Sequence, residues 1–220
     1  MQDRISYSLT NKNKFLLVNI KTKIKGEKIL LMDIPQYKGT NIMHIRKRLQ
    51  EAGQAKEDLY CSKLSKGDLT IYKQAVAAGW YPMDVVVRIF TEAAKILYAK
   101  QAKPFYALGY DQALDNLSGL YRTVLSGISP DSAVEQSARL WRTHFNSGEA
   151  SWSSVQTEVP SQRKVTFIVK NYPQLPAPFL DIVEGYIHGI VAFTHAQFLG
   201  SKIESNNPQE WRWNWIYKLE

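Results

Sequence analysis

This sequence of 220 residues has one cysteine, Cys61, which excludes an internal disulfide framework and any zinc site built from several thiolates. A lone thiol fits a reducing compartment, and the cytoplasm is the expected location. Histidine is scarce too: His44, His144, His188 and His195 are dispersed along the chain and promise no closed metal or heme shell, so no cofactor is expected. There is no P-loop, no G-x-G-x-x-G, no G-x-S-x-G and no His-Glu-x-x-His. Each missing motif lowers the case for an enzyme, and a non-enzymatic protein is expected. Met1 to Lys14 is polar and lacks the apolar core of a signal peptide. The longest apolar stretch, Ile182 to Leu199, is interrupted by Glu184, His188, His195 and Gln197, which would be costly in hydrocarbon, so no membrane span is expected.

What is present suits one folded domain. The hydrophobic content is 45%, and the length suffices for one large core but not comfortably for two. The net charge of +8 is uneven: residues 1–73 hold 15 Lys or Arg against 7 Asp or Glu, and residues 74–220 hold 13 against 13. A basic patch for nucleic acid, anionic lipid or an acidic partner is one reading of that excess. A solvated basic edge is the better one, because the lysines follow no recognition-helix motif, and nucleic acid is an unlikely partner.

Along the chain, Phe15 to Ile24 and Lys28 to Ile34 read as a hairpin or a strand with an irregular return, with lysines guarding an edge. Thr40 or Asn41 can cap a helix to about Ala52, with Ile42, Ile45 and Leu49 inward and Arg46, Lys47 and Arg48 outward. A shorter helix from Lys56 to Leu64 follows. Gly79 to Asp84 is punctuation, after which Pro82 to about Ala99 forms a helix with Val85, Val86, Ile89, Ala93 and Ile96 inward and Arg88 paired with Glu92. Helical period continues from Pro104 to Gly127. Ser129, Pro130 and Asp131 supply an N-cap, an N1 proline and an acidic first turn for a helix ending at Phe145, closed by Asn146-Ser147-Gly148.

After Gly148 the period falls from 3.6 to two. Ala150 to Val159 and Lys164 to Lys170 read as an antiparallel pair. A helix then runs from Pro178 to Leu199, with Phe179, Ile182, Val183, Tyr186, Ile190 and Phe193 as its apolar stripe and Gly185, Gly189, Ala192 and Ala196 beside it. The tail from Trp211 to Tyr217 sends three Trp and a Tyr to one face of a strand that can cover this helix. The expected class is α+β, with helices packed on an antiparallel sheet and a C-terminal β-β-α-β-β unit.

Three stretches carry a resemblance: Gly79-Trp80-Tyr81-Pro82 leading into Val87-Arg88, the run Arg139-Leu140-Trp141-Arg142-Thr143-His144-Phe145-Asn146-Ser147-Gly148, and the late helix with its aromatic hairpin. Their order is similar to that of a bacterial family abundant in myxobacteria. That family resembles the 4-vinyl-reductase and heme-nitric-oxide-binding-associated domains, in a ligand-binding superfamily that includes TRAPP transport subunits. The resemblance covers roughly Lys28 to Tyr217 and leaves residues 1–27 as a basic extension of a single domain spanning residues 1–220. It implies a domain enclosing a small apolar ligand, sensory or adaptor in role, a homodimer, and a possible protein partner. Two cysteines common in relatives near the last hairpin are missing, and so is the Tyr-x-Ser-x-Arg motif that heme-nitric-oxide sensors pair with a proximal His.

A largely apolar cavity is therefore expected between the C-terminal helix and the helices Pro82 to Ala99 and Pro130 to Phe145. Its expected ligand-binding residues are Tyr81, Trp141 and Tyr186 as walls, Arg88 or Arg142 as a polar anchor, and Gly189 as the point of close approach. The small stripe can admit either a ligand or another helix. Glu184, His188 and His195 share about a 40° sector of the late helix. Hydrogen-bonded or solvated side chains are the favoured reading there, ahead of a metal site. The alternating tryptophans could stack on bases, but core packing is favoured, with Arg212 on the opposite face.

Overall fold

The computed structural model describes residues 34–117, 128–172, 175–194, 196–207 and 210–219. All of them belong to a unit spanning Met32–Glu220. The hairpin expected before Ile34 lies outside the described residues. Short strands β1 (Gln36–Lys38) and β2 (Trp80–Pro82) pair antiparallel. Around them lie α1 (Gly39–Glu51), α2 (Gln54–Lys63), α3 (Lys66–Gln74), α4 (Met83–Leu97), α5 (Pro104–Asn116) and α6 (Pro130–His144). Then come β3 (Glu149–Gln156), β4 (Gln162–Lys170), α7 (Ala177–Val191), β5 (Ala196–Asn207) and β6 (Glu210–Leu219). The last four strands form one antiparallel sheet in the order β3-β4-β6-β5. This is the α+β class with its C-terminal β-β-α-β-β unit.

Period two builds the sheet's inner face. Val165, Phe167 and Val169 of β4 stand opposite Trp215, Trp213 and Trp211 of β6, and all six are buried. The Trp213 indole N–H donates to the Leu180 carbonyl of α7 at 2.9 Å, which fixes the helix over the sheet. The aromatic tail is therefore core, and its rings are not free to stack on bases.

Helix α7 is shorter than its sequence suggests. It ends at Val191, where the Ala192 N–H still bonds His188 O and the Thr194 hydroxyl donates to Val191 O at 2.7 Å. Ala196 onward is strand, because Ala196, Gln197 and Phe198 find ladder partners in Leu219, Lys218 and Tyr217. Pairing across the sheet overrides the apolar helical period there. His195, expected on this helix, lies beyond its end and outside the described residues.

Three further elements, β1, α3 and β2, escaped the sequence. Helix α3 is set by Ser65, whose hydroxyl accepts from the Asp68 N–H at 3.1 Å as a helix N-cap. Strand β2 occupies the segment read as punctuation. It exists because β1 is held in place by Asn146, which accepts from the Gln36 N–H at 2.6 Å and donates to Ile34 O at 3.1 Å. The Asn-Ser-Gly closure of α6 is thus a clasp on β1 as well as a helix stop. No helix among the described residues is long and apolar enough to cross a membrane.

Candidate functional site: a cavity between two helices

The stripe of small residues is filled by a helix. A Cβ on Gly185 would collide with the carbonyl oxygen of Tyr106, one on Gly109 with that of Ile182, and one on Gly189 would lie 2.6 Å from the Ala113 side chain. Helices α5 and α7 therefore pack backbone to backbone, and Gly189 is a packing position that is not among the cavity-lining residues.

The void lies on another side of α7. A partly enclosed cavity of about 40 Å³ is lined by Tyr37 of β1, Ser137, Leu140, Trp141 and His144 of α6, Phe145, Phe167 of β4, and Ile182, Val183, Tyr186 and Ile187 of α7. Helix α6 reaches this place because Ser129 caps it, accepting from the Ser132 N–H at 3.2 Å, and because Pro130 opens its first turn. Trp141 stacks on Phe145 with centroids 3.9 Å apart, and its N–H donates to Ser147 O at 2.9 Å, so this wall is rigid. The volume corresponds to about three water-sized guests at roughly 10–15 Å³ each.

Of the residues expected to bind a ligand, Trp141 and Tyr186 line the cavity. The others lie elsewhere. Arg88 joins α4 to α3 through two bonds of 2.9 Å to the buried Asp68, and within α4 it bonds Asp84 at 3.0 Å; its expected partner Glu92 instead pairs with Lys95. The Arg88 guanidinium holds the Asp68 carboxyl below the usual carboxylate range. The Tyr81 hydroxyl accepts from the Val76 N–H at 3.0 Å, and Arg142 is exposed, donating to Asn146 O at 3.4 Å. Helix α4, expected to border the cavity, contributes no lining residue.

The late-helix polar group is internal as well. Buried Glu184 accepts from the Ser201 hydroxyl and lies 3.4 Å from Lys103 Nζ. His188 bonds the Tyr106 hydroxyl through Nδ1 and stacks on Phe198 at 4.0 Å; burial depresses its pKa. No group of three or more metal-ligating side chains occurs among the described residues. The cations of α1 are engaged rather than displayed. Arg46 donates to the carbonyls of Tyr72 and Ala75 at the end of α3, and Arg48 and Lys47 approach Asp115 at 3.3 Å each.

The polar residue that sequence reasoning missed is His144. Its Nδ1 lies 3.2 Å from Asn41 Nδ2, and Asn41 Oδ1 accepts in turn from Gln112 Nε2. Asn41 and Gln112 are 1% and 0% exposed, so this chain of amides is internal to the fold. Asn41, a helix-cap candidate by sequence, points inward instead, and α1 starts after Lys38 without a side-chain cap. Burial pushes the His144 pKa down to about 4 and keeps the ring neutral. The only local signal was a histidine one residue before the buried Phe145.

No family model matches the sequence, and no curated protein matches it. Solved structures do. An oxygen-binding H-NOX domain related to soluble guanylate cyclases, in its oxygen complex, is 14% identical with a TM-score of 0.57, over 83% of this chain and 95% of that one. The Fe(II) unliganded H-NOX protein of K. algicida is 10% identical with a TM-score of 0.54, over 83% and 97%. A variant of the S. oneidensis H-NOX protein in the Fe(II) state is 11% identical with a TM-score of 0.56, over 83% and 96%. The fold is that of H-NOX domains.

Heme is the group that the H-NOX fold implies, since one such neighbour is described for heme distortion in the H-NOX family. The interior here does not fit it. A void of about 40 Å³ is far smaller than a porphyrin. The space around it is occupied by Tyr37, Phe90, Phe145 and Phe179, whose ring centroids are 4.6 to 6.1 Å apart. Opening that cluster would sacrifice the burial of several aromatic rings, each worth roughly 150–250 Å².

Proposed function

We propose that this chain is a non-enzymatic, ligand-binding sensory domain on an H-NOX-type fold, and that its guest is a small, largely apolar molecule held between α6 and α7. The observation that carries the reading is the cavity of about 40 Å³ with apolar walls from Leu140, Trp141, Phe145, Ile182, Val183 and Ile187. An apolar void of this kind takes up a nonpolar guest because water gains few hydrogen bonds inside it. The structural neighbours support a sensory role by fold, one of them being described as binding oxygen.

A guest there would touch α6, which precedes the β3-β4 hairpin, and α7, which Trp213 of β6 anchors to the sheet through the Leu180 carbonyl, so occupancy can shift the helices relative to the sheet. Xenon titration of the isotopically labelled full chain, followed by amide shifts, tests this. Shifts confined to the lining residues of α6 and α7 are expected. Xenon pressure that leaves those amides unmoved would refute the reading.

A further inference from the structure

We infer that His144 presents a fixed N–H donor to the cavity, so that the site selects a neutral guest bearing one hydrogen-bond acceptor on a short apolar body, such as a ketone, over carboxylates and amines. This rests on the cavity reading above and adds the chemistry of the guest.

The donor's orientation is set from Gln112. Its Nε2 donates to Asn41 Oδ1, which leaves Asn41 Nδ2 to donate to His144 Nδ1. A neutral imidazole carries a single N–H, so a ring whose Nδ1 accepts must hold its proton on Nε2. No bond from that nitrogen to a described residue is present; the ring's other contacts are the faces and edges of Tyr37 and Tyr186, with centroids at 6.4 and 5.6 Å. The ring keeps some accessible surface and lines the cavity.

The other polar groups of the wall are hydroxyls. Ser137 donates its proton to Ala133 O at 2.9 Å, while the Tyr186 hydroxyl accepts from Asn116 Nδ2 at 3.3 Å and keeps its own O–H as a further donor, which favours an acceptor-bearing guest in the same sense. Among the described residues, no Asp, Glu, Lys or Arg lines the cavity. A carboxylate or ammonium entering it would lose water without gaining a counter-charge, a penalty of several kcal/mol even after relaxation. A carbonyl oxygen instead finds a donor in the wall, the His144 N–H. Burial keeps His144 neutral through the physiological range, so the donor does not become a cation that would attract acids.

The test uses the full chain and four probes: xenon, 2-butanone, butyrate and butylammonium. Three results are expected. Butanone saturates the cavity amides at lower concentration than either ion. Ring nitrogen shifts of His144 show Nε2 protonated and Nδ1 bare across neutral pH. His144→Phe weakens butanone about three- to tenfold, the loss of one hydrogen bond, while xenon shifts persist.

Opposite results are equally specific. A proton on Nδ1, butyrate binding as tightly as butanone, or a folded His144→Phe chain with unchanged butanone affinity overturns the inference while xenon binding preserves the cavity. Loss of xenon binding in the unmodified chain sinks both. If His144→Phe does not fold, the ring shifts and the butanone-to-butyrate comparison on the unmodified chain decide alone.

Discussion

The carbonyl oxygen of Tyr106 occupies the place where a β-carbon on Gly185 would have to go, so α5 and α7 meet backbone to backbone at that turn. Gly185→Ala sets two effects against each other. Alanine gains about 1 kcal/mol in helix propensity over glycine. A clash with a carbonyl that cannot swing aside costs about 1–3 kcal/mol of overpacking, or more, since the obstacle is main chain. The clash should win, lowering the melting temperature by several degrees at about 2–4 °C per kcal/mol for a chain of this size. A Gly185→Ala protein as stable as its parent would show that the helices are not in contact there.

Arg88 is expected to matter for stability and not for binding. Arg88→Met removes the partner of Asp68, whose side chain is 6% exposed, while Arg88 itself is half exposed, so solvent screening limits the cost to roughly 1 kcal/mol. Asp68 has a folded pKa below its unfolded one. Its contribution is therefore present above the unfolded value, near 3.9, and is lost as pH falls through the folded value. Urea denaturation should show the full difference at pH 7 and convergence of the two proteins in strong acid. Butanone affinity should not change.

Much of this fold was legible because the sheet and the main helices announce themselves locally. Trp211, Trp213, Trp215 and Tyr217 alternate whatever their neighbours, and Ser129-Pro130-Asp131 marks a helix start by its own chemistry. The small stripe of α7 reported a close approach but carried no label for what approached. The rest was non-local. Strand β2 needs Asn146 to hold β1, and the site histidine needs Asn41 and Gln112, 103 and 32 residues away in the chain, to set its proton. Asn41 misled because its local context suits a helix cap, and an inward amide leaves no trace in sequence periodicity.

Acid should destabilise the protein earlier than carboxylates alone would require. Burial holds His144 at about 4, and it also holds His44 at about 4 even though Asp115 lies 3.0 Å away, because desolvation outweighs that carboxylate. Both folded pKa values lie below the unfolded value near 6.5, so the unfolded chain binds more protons between the two. Stability is complete above pH 6.5 and falls as pH drops toward 4, by up to about 3 kcal/mol for each ring. His144→Phe should flatten part of that slope in a series of denaturation curves from pH 7 to pH 4.5. An unchanged slope would mean that His144 already reaches solvent as a cation.

Hemin should find no stoichiometric site. The aromatic cluster of Tyr37, Phe90, Phe145 and Phe179 fills the interior around the cavity. Titration of the purified chain should therefore give no saturable change in the Soret band at one equivalent. A sharp Soret shift that saturates at one equivalent, and that is lost in a histidine variant, would show that the interior opens far beyond the cavity seen here.

Val183→Ile separates a ligand sensor from a packed dimeric scaffold. Val183 is 6% exposed and borders the cavity, so an added methylene can enter free volume. Burying it would contribute about 0.8 kcal/mol, whereas forcing it into a filled interior would cost about 1–3 kcal/mol. In the sensor reading the variant melts slightly higher and takes up less xenon, because stability and guest compete for the same space. The scaffold reading has a closed interior and a two-fold contact between copies. It predicts that Val183→Ile melts lower, as Gly185→Ala does, that xenon is indifferent to the change, and that light scattering shows a dimer. A destabilised Val183→Ile protein with no xenon response in the parent would remove the guest and leave the dimer as the reading to pursue.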